Sequence, residues 1–340
     1  DYRYQKIKDL PFQLKDCNLV LRKRRYLCSC GKRFFESYSF LAKYQQRTKR
    51  LTMKTVELLR DTCSIKKVAK TTNLSTTTVT RILDTINYSC PKLGEAVSID
   101  EFKGNAKTGK YQCILVDPKK KFIMDILPDR TQVHLSTYFR NINRSERYRV
   151  KFFVCDMWQP YVDIAHAYFP NAQVIIDKYH FIRQVTRAIE NVRKRLQKTM
   201  PISLRKYYKR SHKLILTRYD KLKDENKKVC DLMLHYNDDL RKAHMLKEWF
   251  YHICQNPKYS IQRIEFYEWI KNAESCGIKE FESCAATYRH WAKYILNAFK
   301  YGLTNGITEG FNNKVKVLKR VSYGIRNFDR FRTRILHSCN

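Results

Sequence analysis

The sequence predicts a mixed α/β protein with a large helical insertion, and three features lead to this class. Residues 95–180 alternate short apolar runs with helical periods, whereas residues 180–300 carry an almost unbroken helical pattern with few Gly or Pro. Residues 1–86 contain short strand patterns followed by three short helices. Strands that alternate with helices along one chain are typical of α/β proteins, and 340 residues are enough for two or three domains.

The charge balance of the chain is unusual, with 68 Lys and Arg against 32 Asp and Glu and a formal net charge of +36. Such an excess opposes folding through self-repulsion, and a polyanionic partner would relieve it. Nucleic acid is the commonest such partner, because each neutralised phosphate releases condensed counterions. A membrane surface is the competing partner, but the sequence contains no apolar run of about 18 residues and no basic amphipathic anchor. We therefore expect a nucleic-acid partner and no membrane.

Residues 1–45 are predicted to form a small zinc-finger-like segment. Basic and aromatic stretches with strand-like alternation surround Cys28 and Cys30, which are the one close pair among the twelve cysteines. Zinc sites usually draw ligands from two pairs, and Cys17 is the only further candidate nearby. The scattered remainder is expected of reduced thiols in a reducing cytoplasm. The chain begins at Asp1 without a Met, which is typical of a truncated N-terminus.

A helix-turn-helix domain is predicted over residues 46–92. Residues 51–59 and 65–71 show helical spacing, and residues 73–75 supply a turn and an N-cap for a third helix over 76–83. A polar helix after a tight turn is typical of a helix that reads the major groove. The alternative is a plain three-helix bundle, which the charge of the chain disfavours. The residues predicted to contact DNA are Ser75, Thr76, Thr77, Thr78 and Arg81.

The predicted sheet opens with three consecutive strands joined by turns and continues as helix, strand, helix and strand. This order is typical of a ribonuclease-H-like sheet, in which the first and fourth strands are neighbours. The last two strands lack alternation, as expected for strands covered on both faces. The predicted strands are 96–100, 111–117, 121–127, 151–156 and 172–177, and the helices between them are 131–142 and 161–168.

An all-helical insertion is predicted over residues 191–300. It interrupts a catalytic core that spans residues 93–190 and resumes over residues 301–340, the part that carries a third candidate acid. Within residues 191–223 there are 12 Lys or Arg against one acid, Asp220. Solvated helix faces normally mix both signs, so this run is interpreted as a surface for the phosphate backbone.

Two aspartates close strands that should be neighbours, Asp100 the first and Asp156 the fourth. Carboxylates this close repel each other unless a cation lies between them. Mg²⁺ or Mn²⁺ suits carboxylate oxygens, and two such ions can activate a water or a 3′-hydroxyl for attack on phosphorus. Taken singly, a strand-end Asp is more often a solvated turn cap. His180, just after the fifth strand, is expected to contact DNA or support the structure, because metal activation makes a general base unnecessary.

A third acid, Glu309, is predicted in the first turn of a helix that Thr304 or Asn305 can cap. Asn313 and Lys316 share its helix face, where they suit contacts to a phosphate or a flanking base. The order Asp, Asp and Glu with basic residues following is more specific than any single acid. The residues of this helix predicted to contact DNA are Asn312, Asn313, Lys316, Lys319 and Arg320.

Several segments that contain these acids resemble the signature blocks of bacterial insertion-sequence transposases, most closely the ISL-three family with its DDE-type catalytic core. The blocks are residues 97–102, 153–161, 169–172, 177–180 and 304–312. The resemblance extends over essentially the whole chain, including the N-terminal segment and the helix-turn-helix.

The resemblance implies that Asp100, Asp156 and Glu309 are the metal ligands, with two Mg²⁺ or Mn²⁺ ions per active site. It also implies transposon terminal inverted repeats as the substrate. The wide gap between Asp156 and Glu309 is similar to the all-helical insertion in the core of such enzymes. Family members carry an upstream Cys pair, and its absence here is a departure that bears on zinc binding by Cys28 and Cys30.

The leading hypothesis is a transposase that cleaves DNA at transposon ends and transfers the strands to a target. Two ends must be handled together, so a homodimer or larger assembly on double-stranded DNA is expected, in the bacterial cytoplasm with the nucleoid. A non-catalytic DNA-binding protein derived from a transposase is the first alternative, and three intact acids disfavour it. A ribonuclease-H-type nuclease is the second, and it explains neither the helix-turn-helix nor the basic insertion.

Overall fold

A computed structural model describes residues 1–13, 15–104, 110–210 and 212–340. The predicted mixed α/β class is confirmed, with fifteen α-helices and eight strands in this part of the chain. Within it, no helix is both long and apolar enough to cross a membrane. The chain forms two compact units, of which unit 1 comprises Asp1–Lys92, Asp100–His134 and Ile307–Asn340, and unit 2 comprises Leu93–Ile99 and Leu135–Gly306.

Unit 1 begins with an antiparallel sheet of three strands, β1 (Tyr2–Phe12), β2 (Lys15–Leu27) and β3 (Arg33–Phe35). The side chain of Asp9 on β1 is buried and accepts hydrogen bonds from Thr48 Oγ1 at 2.7 Å and Arg50 Nε at 2.7 Å. A charge-assisted pair of this kind is stronger than one between neutral groups. It fastens the sheet to the start of the first helix.

Three short helices follow, α1 (Lys49–Leu58), α2 (Ile65–Thr72) and α3 (Thr76–Leu83), and they confirm the three helices expected here. Each helix has a side-chain N-cap, because a hydroxyl accepts a backbone N–H of the first turn. Asn73 ends α2 at a φ of 52°, in the left-handed region that Asn tolerates. The caps are Thr48, Ser64 and Ser75, and the core between the helices is Leu59, Val68, Ala69, Val79, Ile82 and Leu83.

The last helix of the chain, α15 (Phe328–Cys339), holds the three short helices through polar side chains. The fully buried Arg334 donates from Nη2 to the carbonyl oxygens of Asp61 at 2.9 Å and Cys63 at 2.8 Å. His337 lies 2.7 Å from the Val56 carbonyl through Nε2, which must therefore donate. Burial lowers the pKa of both side chains, so His337 serves as a neutral donor.

Helix α14 (Gly306–Val321) and α15 together cover two strands of another sheet, Tyr111–Asp117 and Phe122–Leu127, which also lie in unit 1. Leu318 of α14 and Phe331 of α15 pack in one buried apolar cluster with Ile114 and Ile126 of the strands. A polar contact also joins α15 to Asp125, which lies in the second of these strands. It is buried in the strand and accepts a hydrogen bond from Arg332 Nε of α15 at 2.6 Å.

The main sheet has the order β6-β5-β4-β7-β8. Strands β4 and β7 are neighbours, as expected, and run parallel with Ser98 opposite Val154. Strand β8 continues parallel to β7, whereas β5 and β6 form an antiparallel pair. The bounds are β4 Ala96–Lys103, β5 Tyr111–Asp117, β6 Phe122–Leu127, β7 Phe152–Cys155 and β8 Gln173–Ile176.

The helical insertion in unit 2 comprises seven helices, from α7 (Lys178–Gln197) to α13 (Lys279–Tyr301). It begins immediately after β8. The returning helix α13 also packs on β8, where Asn297 donates to the Val174 carbonyl at 2.8 Å. Closely packed aromatic side chains fill the interior, with the ring centres of Trp269 and Tyr288 5.3 Å apart. The other helices of this unit are α4 Gln132–Arg140, α5 Arg144–Arg147, α6 Gln159–Tyr168, α8 Ile202–Arg210, α9 His212–Leu216, α10 Asp224–His235, α11 Asp238–Gln255 and α12 Tyr259–Glu274.

Part of the positive charge in the basic run over residues 191–223 is neutralised by ion pairs, which the sequence did not indicate. Arg193 is buried and paired with Glu190 at 2.8 Å. Arg195 pairs with both Glu280 at 2.8 Å and Asp239 at 3.2 Å. These acids lie outside residues 191–223 in the sequence, so a local charge count could not show that they neutralise part of the run.

We predict that Asp9→Asn lowers the free energy of unfolding by about 2 kcal/mol, because it removes a buried carboxylate that accepts charge-assisted hydrogen bonds. The hydrogen bond from Arg50 holds the pKa of Asp9 well below its usual range. The stabilisation is therefore present above about pH 4, the pKa of an unfolded Asp, and is lost as the pH falls through the folded-state value. Urea unfolding of wild type and variant between neutral and acid pH measures this difference.

The control for this prediction is Asp1→Asn, which removes the exposed pair between Asp1 and Arg25. Exposed pairs contribute little, so this variant should unfold like the wild type. A difference between wild type and Asp9→Asn that stays constant down to acid pH would contradict the assigned role of the carboxylate.

Candidate active site

Asp100 follows the fully buried residues Ala96 to Ile99 of β4 and is itself half-buried. Its Oδ2 accepts a hydrogen bond from Asn312 Nδ2 at 2.7 Å, and its Oδ1 accepts from the backbone N–H of Glu101 at 2.7 Å. A neutral amide orients a carboxylate without cancelling its charge, as a cationic partner would. Unit 1 thus holds Asp100 in a fixed direction from helix α14.

Glu309 lies in the first turn of α14 and is exposed. Three residues later on this helix, Asn312 is buried against Asp100, and its Oδ1 has no hydrogen-bond partner among the described residues. The helix therefore carries an exposed acid one turn from the side chain that binds the first aspartate.

The predicted DNA-contacting residues of α14 divide into two groups. Asn312 is buried, and Lys319 donates from Nζ to the carbonyl oxygens of Lys103 at 2.8 Å and Gly104 at 3.3 Å, so both hold the structure of unit 1. The remaining three face outward and keep the position that a DNA contact needs. They are Asn313, Lys316 and Arg320.

Asp156 directly follows β7, and its side chain is 15% exposed. His180, in the first turn of α7, places Nε2 3.1 Å from Asp156 Oδ1. His180 was predicted to contact DNA or support the structure, and it lies beside Asp156. Within unit 2 it can orient this carboxylate.

A buried polar network in unit 2 was missed by sequence reasoning. Asn305 accepts a hydrogen bond from Ser98 Oγ through Oδ1, and its backbone N–H donates to Asp177 Oδ1 at 2.8 Å. Asp177 also caps α7 through the N–H of Tyr179. At the start of the helix that carries Glu309, Thr304 Oγ1 accepts the Gly306 N–H at 3.3 Å.

The three predicted metal ligands are divided between the two units. Across residues 1–13, 15–104, 110–210 and 212–340, no three His, Cys, Asp or Glu side chains are close enough to hold a metal ion. Asp100 and Glu309 belong to unit 1, whereas Asp156 belongs to unit 2. Asp100 is oriented by Asn312 within unit 1, and Asp156 lies beside His180 within unit 2.

Cys28 and Cys30 lie exposed in the turn between β2 and β3. The Cys28 N–H donates to the Lys32 carbonyl at 2.8 Å and so closes this turn. A hydrogen bond from the Cys30 backbone lowers the pKa of the Cys28 thiol. The two thiols are accessible, and a four-ligand zinc site would need two further ligands beside them.

Helix α3 presents the side chains that were predicted to read DNA. Ser75 caps the helix by accepting the Thr78 N–H at 3.1 Å, and Thr78 is half-buried. Thr76, Thr77 and Arg81 are exposed. The short polar helix therefore keeps its outer face free for a groove while Val79, Ile82 and Leu83 face inward.

Comparison with known protein families identifies the chain. A family model described as "Transposase", of the DDE type, matches residues 97–335, which is more than half of the chain. The chain belongs to the ISL-three (ISL3) family of DDE transposases. A second model, described as "Helix-turn-helix domain of transposase family ISL3", matches residues 36–87. The transposase is thus a DDE-type enzyme with a DNA-binding helix-turn-helix domain.

Individual relatives agree with the family. The transposase is similar to "Transposase for insertion sequence element IS1001" of Bordetella parapertussis, with 27% identity over 96% of this chain and 82% of the relative. It is 21% identical to "Transposase for insertion sequence element IS1557" of Mycobacterium tuberculosis, over 68% of this chain and 57% of the relative. A shorter similarity, 29% over 32% of the chain, is to an "ATP-dependent protease" of Lactococcus lactis and covers too little to indicate an activity.

We predict that Asn312→Ala slows metal-dependent DNA cleavage roughly tenfold, because Asp100 loses the donor that orients it. The Mg²⁺ concentration for half-maximal cleavage should rise, whereas DNA affinity without metal should not change. The matched control is Val317→Ala, an exposed position of the same helix. Equal cleavage rates and metal requirements for the two variants would exclude the positioning role of Asn312.

Proposed function

We propose that the transposase cleaves DNA at the terminal inverted repeats of an insertion sequence and joins the resulting 3′ ends to target DNA. The hydrogen bond from Asn312 to Asp100 carries this proposal, because it couples the helix of Glu309 to the strand of the first acid. Membership of the DDE transposase family supplies the reaction class.

We infer that Asp100, Asp156 and Glu309 form the catalytic and metal-binding triad. The ladder between β4 and β7 supports the pairing of the aspartates, since each follows by two residues the pair formed by Ser98 and Val154. Glu309 is supported by its exposure and by its distance of one helical turn from Asn312. The convergence of all three acids is a prediction of this proposal.

Two Mg²⁺ or Mn²⁺ ions fit this donor set, because hard cations take carboxylate oxygens. When bound, such ions activate a water or a 3′-hydroxyl and stabilise the leaving oxygen. The protein's own contribution is orientation, which Asn312 provides for Asp100 and His180 for Asp156. Asn305 fixes the segment that precedes Glu309, through Ser98 and Asp177.

The architecture proposed for the whole chain combines these parts. The order β6-β5-β4-β7-β8, with three parallel strands and one antiparallel pair, supports a ribonuclease-H-like core over residues 93–190 and 301–340, interrupted by the insertion over residues 191–300. Residues 46–92 form the DNA-binding domain of this proposal. Residues 1–45 form a zinc-finger-like segment, in which accessible thiols favour Zn²⁺ binding once further ligands complete the set.

On DNA we propose a homodimer or larger assembly, because two transposon ends must be cleaved in one event. Exposed positions of α3 would contact bases in the major groove, and exposed positions of α14 would contact the DNA near the cleaved bond. The proposed location is the bacterial cytoplasm, together with the nucleoid.

The deciding experiment uses Glu309→Gln. With labelled transposon-end DNA and Mg²⁺, we expect cleavage and joining to fall roughly a thousandfold or more, because a charge-stabilising ligand is lost, while DNA binding persists. Glu101→Gln is the control, since Glu101 adjoins Asp100 but pairs with Arg130 at 2.6 Å. Undiminished cleavage by Glu309→Gln would refute the triad. Wild-type binding without cleavage would favour a non-catalytic DNA-binding protein, and cleavage without joining a nuclease.

Sequence recognition is tested with Arg81→Ala. Loss of one base-contacting side chain should reduce the preference for inverted-repeat DNA over random DNA by roughly 10- to 100-fold. Lys66→Ala, an exposed basic position on α2, should leave the preference unchanged. Competition binding at fixed salt measures both variants, and an unchanged preference for Arg81→Ala would remove α3 from base recognition.

A further inference from the structure

We propose that the outer face of the hairpin formed by β1 and β2 is a second DNA-binding surface, which binds the phosphate backbone beside the site of α3. The proposal rests on the DNA binding proposed above and adds a segment to which no DNA contact has been assigned. Its residues all lie in Asp1–Lys92 of unit 1.

The hairpin has one buried and one outward face because side chains alternate along each strand. Ile7 and Asp9 point inward and are buried. The even-numbered residues of β1 up to Lys8 and their partners on β2 form the outward face, which carries four basic side chains and no acid. This outer face consists of Tyr2, Tyr4, Lys6 and Lys8 opposite Arg24, Arg22, Val20 and Asn18.

Aromatic rings hold the arginines of the outer face in place. The Arg22 guanidinium lies 4.0 Å from the centre of the Tyr2 ring, and the Arg24 guanidinium lies 5.2 Å from that of Tyr26. Cation–π contacts restrict these long side chains before any ligand arrives, which lowers the entropic cost of binding. Tyr2 and Tyr4 remain 50% and 68% exposed, so the face is open.

An open cleft of about 520 Å³ joins the outer face to the start of α3. Lys6, Lys8 and Arg47 line one side of it, and Ser75 and Thr78 line the other. Among the described residues, no acidic side chain contributes to its wall. Lys8 donates from Nζ to the Asn73 carbonyl, so the hairpin is fastened directly to the turn between α2 and α3.

This combination fits the phosphates of duplex DNA better than other anions. The basic residues extend along a strand pair rather than enclosing one small molecule, as a backbone contact requires. The N-terminus of α3 adds the partial positive charge of its free N–H groups at the end of the cleft. When α3 lies in the major groove, the hairpin is positioned to follow the adjoining backbone and to fix the register of the helix.

The test compares two double variants that remove the same charge. Lys6→Gln with Arg22→Gln alters the outer face, whereas Arg3→Gln with Lys23→Gln alters a register pair on the opposite face of the same hairpin. Binding is measured against salt concentration for two duplexes of equal length, one with the inverted repeat of the element that encodes this chain and one of random sequence. Thermal unfolding verifies that both variants fold.

For the outer-face variant we expect affinity to fall on the order of tenfold for both duplexes, and the slope of log affinity against log salt to shrink by about 2, one unit for each lost phosphate contact. The opposite-face variant should retain the wild-type slope. Equal losses in the two variants would overturn the proposal. Failure of the wild type to prefer the inverted repeat would instead count against the proposed function, and the random duplex would still decide on the hairpin.

Discussion

The proposed catalytic arrangement depends on one constraint: in a protein of net charge +36, an acid that is to hold metal ions must stay negative and accessible. A cationic partner neutralises some of the acids, as Arg130 does for Glu101. Asp100 is oriented by the neutral amide of Asn312, which directs the carboxylate and leaves its charge available. The apolar packing of α14 on the strands of unit 1 supports the hydrogen bond from Asn312 to Asp100, because it keeps the Asn312 amide in position.

Unit 1 also carries the helix-turn-helix domain. Side chains of α15 hold this domain in place by donating hydrogen bonds to its backbone carbonyl oxygens. Arg334 and His337 of α15 donate to carbonyl oxygens around α1, and α15 shares its apolar cluster with α14. Burying the polar side chains of Arg334 and His337 costs free energy, and the hydrogen bonds to these carbonyl oxygens offset that cost. Within unit 1, the helix-turn-helix domain and the helix that carries Glu309 are therefore joined through α15 in one packed structure.

The local patterns of the sequence were sufficient for the helices of the DNA-binding domain, for the strand order and for the helical insertion. The long-range pairs could not be predicted, because no periodicity records them. Asn305, for example, accepts a hydrogen bond from Ser98, more than two hundred residues away in the chain. Arg193 is not part of an open basic surface, since its partner Glu190 lies just outside the run over residues 191–223. The assembly of the three acids and the zinc site stay predictions.

The insertion leaves and returns at a single strand, because α7 starts after β8 and α13 bonds back to Val174. A segment with neighbouring ends behaves like a domain inserted into a loop, where added length costs little in closure entropy. Its helices are therefore free to diverge in number and length between relatives, provided that these two attachments to β8 persist. Evolution could in this way tailor the far end of the insertion to new DNA or protein contacts without rebuilding the chemistry.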